Sequence, residues 1–399
     1  MKVCMLAYAH YINDARIKAY VRTLKDNGHQ VDVVALRSEG EAKVEGDGSG
    51  SVFRIMDKYQ GDRKILYGIS YLAFFIKALF FLARRTLQSR YEVVHVHNMP
   101  NMLVFSALVP RLFGARLLLD VHDLMTVNYM AKFGASESDL PVQMLKWEQR
   151  ISSMFVDHVC CADDNQRDYL AEHCFVPREK ITVLMNLPNP QLFGQTPTGE
   201  KARDGVFRIV YHGTIAHRLG IDLILRAVSK AAEKVPVELW MYGAGDFLPE
   251  VLELASELGI EKRVHFSRSF FPVEQIPEIV TGMDLGIIGN RRNLACDKYM
   301  LPVKLLEYVY LGVPVIAPRL EVIMRYFDES MIRYYAPENV EQMAEAIVDL
   351  YGNAAERSRL ARAAADFYRI HNIQVQAKTY LELMSSSRAR PMRVARTQS

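Results

Sequence analysis

The residues most able to do chemistry lie in Leu301-Pro302-Val303-Lys304-Leu305-Leu306-Glu307-Tyr308. Proline suits the first helical position, so a helix opening here puts Lys304 in its first turn. Glu307 follows one turn on, on nearly the same face. Backbone amides, the positive end of the helix dipole and a lysine make an anion site fit for a diphosphate. Glu307 could then accept hydrogen bonds from hydroxyls such as those of a ribose. A surface Lys–Glu pair on an ordinary helix is the plainer reading of the same spacing. A second group, Tyr211-His212-Gly213-Thr214-Ile215-Ala216-His217-Arg218-Leu219-Gly220, directly follows an apolar run. Gly213 lets backbone approach a ligand closely, and Arg218 offers a planar fork for phosphate oxygens. Alone it is a strand-to-helix turn with incidental cations.

Two further groups close apolar runs: His95-Val96-His97-Asn98 and Asp120-Val121-His122-Asp123. Period two puts His95 and His97 on one strand face, but no third ligand at a recognisable spacing accompanies them, so no metal is expected. A histidine at a strand end facing a sugar fits better. His122 with Asp123 is the better candidate, because the pair ends a strongly apolar strand. Gly243-Ala244-Gly245-Asp246 resembles the start of a dinucleotide fingerprint, but Leu248 stands where the third glycine belongs. There is no GxxxxGK[ST], HExxH or GxSxG, so nothing points to P-loop, zincin or α/β-hydrolase chemistry.

Short apolar runs alternate with helical patterns throughout, as in parallel α/β sheets buried on both faces. Strands are expected near 3–8, 30–36, 92–97, 116–121, 158–162 and 181–185. A second series falls near 207–212, 237–242, 263–266, 285–288, 314–317 and 332–335. At 399 residues the chain is long enough for two cores. Residues 186–205 hold three prolines, three glycines and no periodicity, which marks a linker. The expected organisation is α/β: a Rossmann-like domain over 1–188, a linker at 189–205, a second such domain over 206–384, and a basic disordered tail at 385–399. Two such domains would face each other across a cleft, with ligands beyond the carboxyl ends of the strands.

Residues 65–83, ILYGISYLAFFIKALFFLA, are apolar on every helical face and have basic flanks. Lys77 near the middle argues against crossing a bilayer, leaving a buried helix or one lying on an anionic membrane surface. The formal charge of +3 includes four arginines in the tail, so the body is near neutral and offers no basic face for nucleic acid. The five cysteines form no CxxC and no metal spacing, which suits a reducing cytoplasm. The start has too short an apolar run for a signal peptide.

Six ordered blocks, HVHNMPN (95–101), LDVHDLM (119–125), YHGTIAHRLGIDL (211–223), MYGAGD (241–246), IIGNRRN (287–293) and LPVKLLEYVYLGVPVIAP (301–318), together resemble the retaining nucleotide-sugar glycosyltransferases of the GT-B fold, glycosyltransferase family 4. The resemblance runs from Asp14-Ala15-Arg16 to about Asp349. It implies a donor held mainly by the second domain near Gly213, Thr214 and Tyr299. Arg218, Lys304 and the amides of Leu305 and Leu306 would take the diphosphate, Glu307 the ribose, and Ser267 and Arg268 would flank the base. His122 would reach the donor sugar, and the acceptor side would include Tyr8, Asp14, Arg16, His97, Asn98 and Asp123. Catalysis would fall to His122, Arg218 and Lys304, with fixed cations rather than a metal or other cofactor stabilising the leaving diphosphate. Two departures stand out. Tyr299 occupies the place of the family's first glutamate, with Asp297 two residues away as a substitute, and the glycine-rich turn after the first strand is replaced by Tyr8-Ala9-His10-Tyr11.

The expected activity is sugar transfer to a membrane-associated glycan or lipid-linked acceptor, as in surface polysaccharide or glycolipid assembly, by a cytoplasmic protein peripheral on the inner leaflet. A nucleotide-sugar 2-epimerase-like enzyme and a catalytically weak nucleotide-sugar-binding partner remain the alternatives.

Overall fold

Each of the twelve expected strands is present in the computed structural model, which describes residues 1–59, 64–193 and 205–385. The chain divides into two units, Met1–Met185 with Gln376 onward, and Asn186–Val375.

In the first unit the strands are β1 (Lys2–His10), β2 (Gln30–Arg37), β3 (Val44–Gly46), β4 (Ser51–Asp57), β5 (Val93–His97), β6 (Arg116–Val121), β7 (His158–Cys161) and β8 (Ile181–Val183). They form one sheet in the order β3-β4-β2-β1-β5-β6-β7-β8, parallel throughout except for β3 against β4. The central strands are near-continuous apolar runs because both their faces are covered. Strands β3 and β4 were not expected. Every residue of β3 is exposed and only Arg54 of β4 is buried, so neither carries an apolar run to mark it.

Helix α1 (Ala15–Asp26) starts at Asp14, whose carboxylate accepts the Ile17 amide at 2.9 Å, and it buries Ile17, Tyr20, Val21 and Leu24 on the sheet. Helix α2 (Lys64–Gln88) resolves the segment expected to be apolar all round. Ser70, Phe74, Ala78, Leu82 and Thr86, one residue in four, are buried, whereas Ile69, Leu72, Ile76, Phe80 and Leu87 face outward. No helix among the described residues is long and apolar enough to cross a membrane.

The second unit holds β9 (Phe207–His212), β10 (Val237–Tyr242), β11 (Val264–Phe266), β12 (Leu285–Ile287), β13 (Val315–Pro318) and β14 (Arg333–Tyr335), all parallel, in the order β11-β10-β9-β12-β13-β14. The chain runs from central β9 to both sides of this sheet, and parallel crossovers in two directions cover both its faces.

Two boundaries differ from expectation. The second unit ends at Val375 rather than 384, because Tyr380, Leu383 and Met384 of the last helix, Ile373–Ser385, are buried in the first unit's core beside Val21 and Leu24. A pattern of apolar spacing shows that a helix has a buried face, but not which core takes it. The first unit likewise ends at Met185 rather than 188. Most of the expected linker, 194–204, and all of the tail after Ser385 lie outside the described residues. All five cysteines are buried with free thiols.

Candidate active site

In the second unit the chemistry gathers at the carboxyl end of β9. The helix Val303–Tyr310 opens after Pro302, as its sequence predicts, and presents Lys304 in the first turn. The Lys304 ammonium lies 3.6 Å over the centre of the Tyr211 ring and has no hydrogen-bond partner among the described residues. Burial pushes its pKa down to about 7; Glu307 opposes this and Arg218 adds to it. Gly213 follows β9 with φ +104°, and a side chain there would meet Lys304 at 3.6 Å.

Glu307 does not pair with Lys304. Its Oε2 lies 2.6 Å from His212 Nε2, while His212 Nδ1 lies 3.0 Å from the Tyr308 hydroxyl. That hydroxyl also accepts the His212 amide at 3.2 Å and lies 3.2 Å from Val210 O. A carboxylate only accepts, so the 2.6 Å contact places a proton on His212 Nε2, which donates to Glu307. One Glu307 oxygen is held by His212 in this way. Gly286 makes room for this arrangement, since any Cβ there would come within 2.4 Å of the Tyr308 ring.

The other expected donor-side residues divide. Arg218 is exposed after Ala216, and its guanidinium touches Met300 Sδ at 3.9 Å, so it is available to an anion beside Lys304. Exposed Thr214 uses its carbonyl to accept the Tyr211 hydroxyl at 2.6 Å. The Leu305 amide donates to Pro302 O at 3.0 Å and so is already engaged, whereas Val303 and Lys304 carry the first amides of the helix. Ser267 accepts the Gly243 amide and donates to Ser269 O, both at 3.0 Å, and therefore shapes the loop after β11. Tyr299 ends the short helix Leu294–Lys298, its amide donating to Ala295 O. Asp297 does not stand in for a substrate-facing glutamate: its Oδ1 accepts the Glu321 amide at 3.1 Å and its Oδ2 lies 3.5 Å from Arg292.

In the first unit the carboxyl ends of β5 and β6 carry a buried polar network centred on Asp120. Arg16 forks onto it, Nε to Oδ2 at 2.8 Å and Nη2 to Oδ1 at 2.7 Å, and Nη1 donates to Leu184 O at 2.6 Å. His122 Nε2 is 3.1 Å and His97 Nδ1 3.3 Å from Asp120 Oδ2, and the two imidazoles are 3.0 Å apart. Burial pulls both histidines down. At His122 the Asp120 carboxylate outweighs it and the pKa is raised, while at fully buried His97 burial wins and the pKa is lowered. Asp120 itself is held well below the usual carboxylate range, the Arg16 charge overcoming its burial. Asp120 supplies the third ligand-type group beside His95 and His97 that spacing did not reveal. Its two oxygens are already engaged by a cation, which argues against a second one there.

Several acceptor-side assignments change accordingly. Arg16 points inward to Asp120. Asp14 caps α1. Asn98 accepts the His122 amide at 2.8 Å and donates to Asp123 O at 2.7 Å and to Asn101 at 3.0 Å, so it holds the loop that carries His122. His97 is fully buried. The Tyr8 hydroxyl meets Ser70 at 2.7 Å. His122 alone of these histidines retains exposure, at 21% of its side chain. Three functional neighbours were missed. Asp120, Tyr211 and His212 all stand inside quoted motifs, and the signal was there in the buried polar character of strand-terminal positions.

Two parallel α/β sheets, each with its polar groups at the carboxyl ends of the strands, make up the GT-B architecture. A family model described as Glycosyltransferase Family 4 matches residues 15–190, and one described as Glycosyl transferases group 1 matches 206–353. The chain belongs to this GT-B glycosyltransferase family, with the family 4 type in its first half. A GDP-mannose-dependent alpha-(1-6)-phosphatidylinositol monomannoside mannosyltransferase of Mycolicibacterium smegmatis is 31% identical over 113 residues; the match spans 28% of this chain and 29% of that relative. Sucrose-phosphate synthase from Thermosynechococcus elongatus shares the fold at TM-score 0.73 and 15% identity, over 96% of this chain and 98% of that one. Anabaena HepE in complex with UDP-glucose does so at TM-score 0.68 and 13% identity, over 96% and 99%.

Proposed function

We propose that this glycosyltransferase moves a sugar, with retention of anomeric configuration, from a nucleotide-diphosphate donor to a glycan or lipid-linked acceptor at the cytoplasmic face of a membrane. The observation that carries the donor reading is Lys304: a desolvated ammonium without a hydrogen-bond partner, at a helix start, with Arg218 close by. Such a group is costly to keep unless an anion completes it. Arg218 and Lys304 then meet the charge that develops on the leaving diphosphate, and Glu307 meets a ribose hydroxyl. In the first unit, His122 is held by Asp120 at a strand end. The acceptor reading is supported by the outward apolar stripe of α2 and by the relative whose name specifies a phosphatidylinositol mannoside acceptor.

Thermal stabilisation by UDP, GDP and ADP at equal concentration, for wild type and Lys304→Ala, tests the site. One nucleotide should stabilise the wild type, by about 2.7 kcal/mol at 100 times its dissociation constant, and the variant much less. Equal shifts in both proteins would refute the assignment. The anomeric coupling of the product by NMR tests retention, and full turnover in a chelator tests the metal-free mechanism.

A further inference from the structure

On the helix Leu140–Phe155, Leu140, Met144, Trp147, Ile151 and Met154 recur at alternating steps of four and three. That spacing puts them within one narrow stripe. The opposite side, Val142, Gln149, Ser152 and Ser153, is buried, and the stripe is bare: Leu140 is 72% exposed, Met154 66% and Trp147 58%. The stripe does not stand alone. The helix packs on the 101–112 segment, with Arg111 over the Phe155 ring, and that segment packs on α2. All three follow crossovers in one direction along the sheet, and so lie side by side on one of its faces. Each turns large apolar side chains outward: Phe80 of α2 is 70% exposed and Leu112 is 74% exposed. A single exposed leucine needs no explanation, but three adjacent bare stripes do.

The charges on this layer are one-sided. Helix α2 and residues 99–113 contain no acid, and neither does 125–133, whereas Lys77, Arg84, Arg111 and Lys132 lie among them. On the striped helix the one acid, Glu148, is turned in to Asn101 at 2.8 Å, and Arg150 lies over the Trp147 ring. Glu137 and Asp139 precede the helix at one end, Glu137 pairing with Lys146 at 2.9 Å.

We infer that this three-helix face is a docking surface for an anionic lipid bilayer, with Trp147 and Phe80 entering the headgroup boundary and the flanking cations meeting lipid phosphates. Apolar stripes with cationic flanks and no crossing helix are the chemistry of a surface-lying protein. A second copy of the chain is the alternative occupant of a four-three stripe. A two-fold contact would bring the same cations of both copies together with few acids to answer them, Asp157 lying 4.0 Å from Arg111 and Glu137 on Lys146, whereas lipid phosphates supply counter-charge. The inference deepens the membrane side of the proposed function and can fail separately from it.

The test uses the full chain in a Trp240→Phe background, which leaves Trp147 as the sole tryptophan. It is sedimented with vesicles of phosphatidylcholine, with and without phosphatidylglycerol. Binding to the anionic vesicles only, weakened by salt, with a blue shift of Trp147 emission, is the expected result. Phe80→Ser and, in the native background, Trp147→Ser should each lower the partition coefficient by about tenfold, and Lys77→Glu with Arg150→Glu by a similar factor. Equal binding to neutral vesicles, an unmoved emission spectrum, or unchanged partition in the serine variants would overturn the inference. So would a concentration-dependent dimer, formed without vesicles and abolished by Trp147→Ser. Nucleotide stabilisation should be the same in wild type and these variants. If that stabilisation is absent from all of them while vesicle binding persists, the donor assignment fails and the docking surface stands.

Discussion

A ligand-free Lys304 with a pKa near 7 makes donor binding a protonation reaction. The amine's ordinary value is 10.5, and burial lowers it because the ammonium loses water without gaining a hydrogen-bonding counter-charge. A diphosphate placed beside it supplies that charge and favours the protonated form. Returning the pKa from about 7 toward 10.5 couples binding to protonation by up to about 5 kcal/mol, at about 1.36 kcal/mol per pH unit. Above pH 7 the free protein must take up a proton before the anion is fully met. The dissociation constant for the nucleoside diphosphate should then rise by about tenfold per pH unit between about 7 and 9. Calorimetry in buffers of different ionisation enthalpy should show uptake of up to one proton per site at pH 8 and little at pH 6. Lys304→Arg, which stays protonated, should remove both effects. The stability of the ligand-free protein should move the other way. The unfolded chain holds a proton that the folded chain has lost between about 7 and 10.5, so this residue makes stability rise with pH through that window. A dissociation constant flat from pH 7 to 9, with no buffer-dependent heat, would refute the reasoning.

Four other outcomes follow from the same geometry. Asp120→Asn removes the carboxylate that raises the His122 pKa, so the His122 NMR titration should move to lower pH, and an unmoved midpoint would count against the pairing. Arg16→Ala removes the guanidinium fork from buried Asp120, leaving it only the two histidines, and should cost about 3 to 5 kcal/mol in urea unfolding; a loss below about 1 kcal/mol would show that the pair does not hold the strand ends. Glu307→Gln keeps the shape but weakens the bond to His212 and, on the proposed donor reading, the one to a ribose hydroxyl, and should raise the donor KM by about tenfold or more, with thermal stability as the control. Gly286→Ala drives a methyl into the Tyr308 ring and should destabilise the second unit by about 1 to 3 kcal/mol while weakening nucleotide binding, and a neutral result would mean that the ring moves freely.

The strands were legible because a parallel sheet covered on both faces demands an unbroken apolar run, and such runs can be read one element at a time. The same rule hid β3 and β4, which sit at the sheet's edge with little buried side chain. The sites were legible only as positions. Arg16, Asn98 and Ser267 stand where a resemblance puts substrate contacts, yet each is bonded to protein, and the partners lie far away in sequence: Asp120 is 104 residues from Arg16. Periodicity carries no information about such pairings, since it describes one helix or strand and a polar network joins several. The Lys304–Glu307 spacing shows what that costs. On the helix alone, an ordinary ion pair is the better reading, and with that pair made Lys304 would be a satisfied cation with little reason to recruit an anion. What decides the matter is His212, at the end of β9 and 95 residues away, which holds Glu307 at 2.6 Å. By taking the carboxylate oxygen it leaves the lysine desolvated and without a hydrogen bond among the described residues, and it is this withheld partner that supports the proposed diphosphate site over a common helical pair.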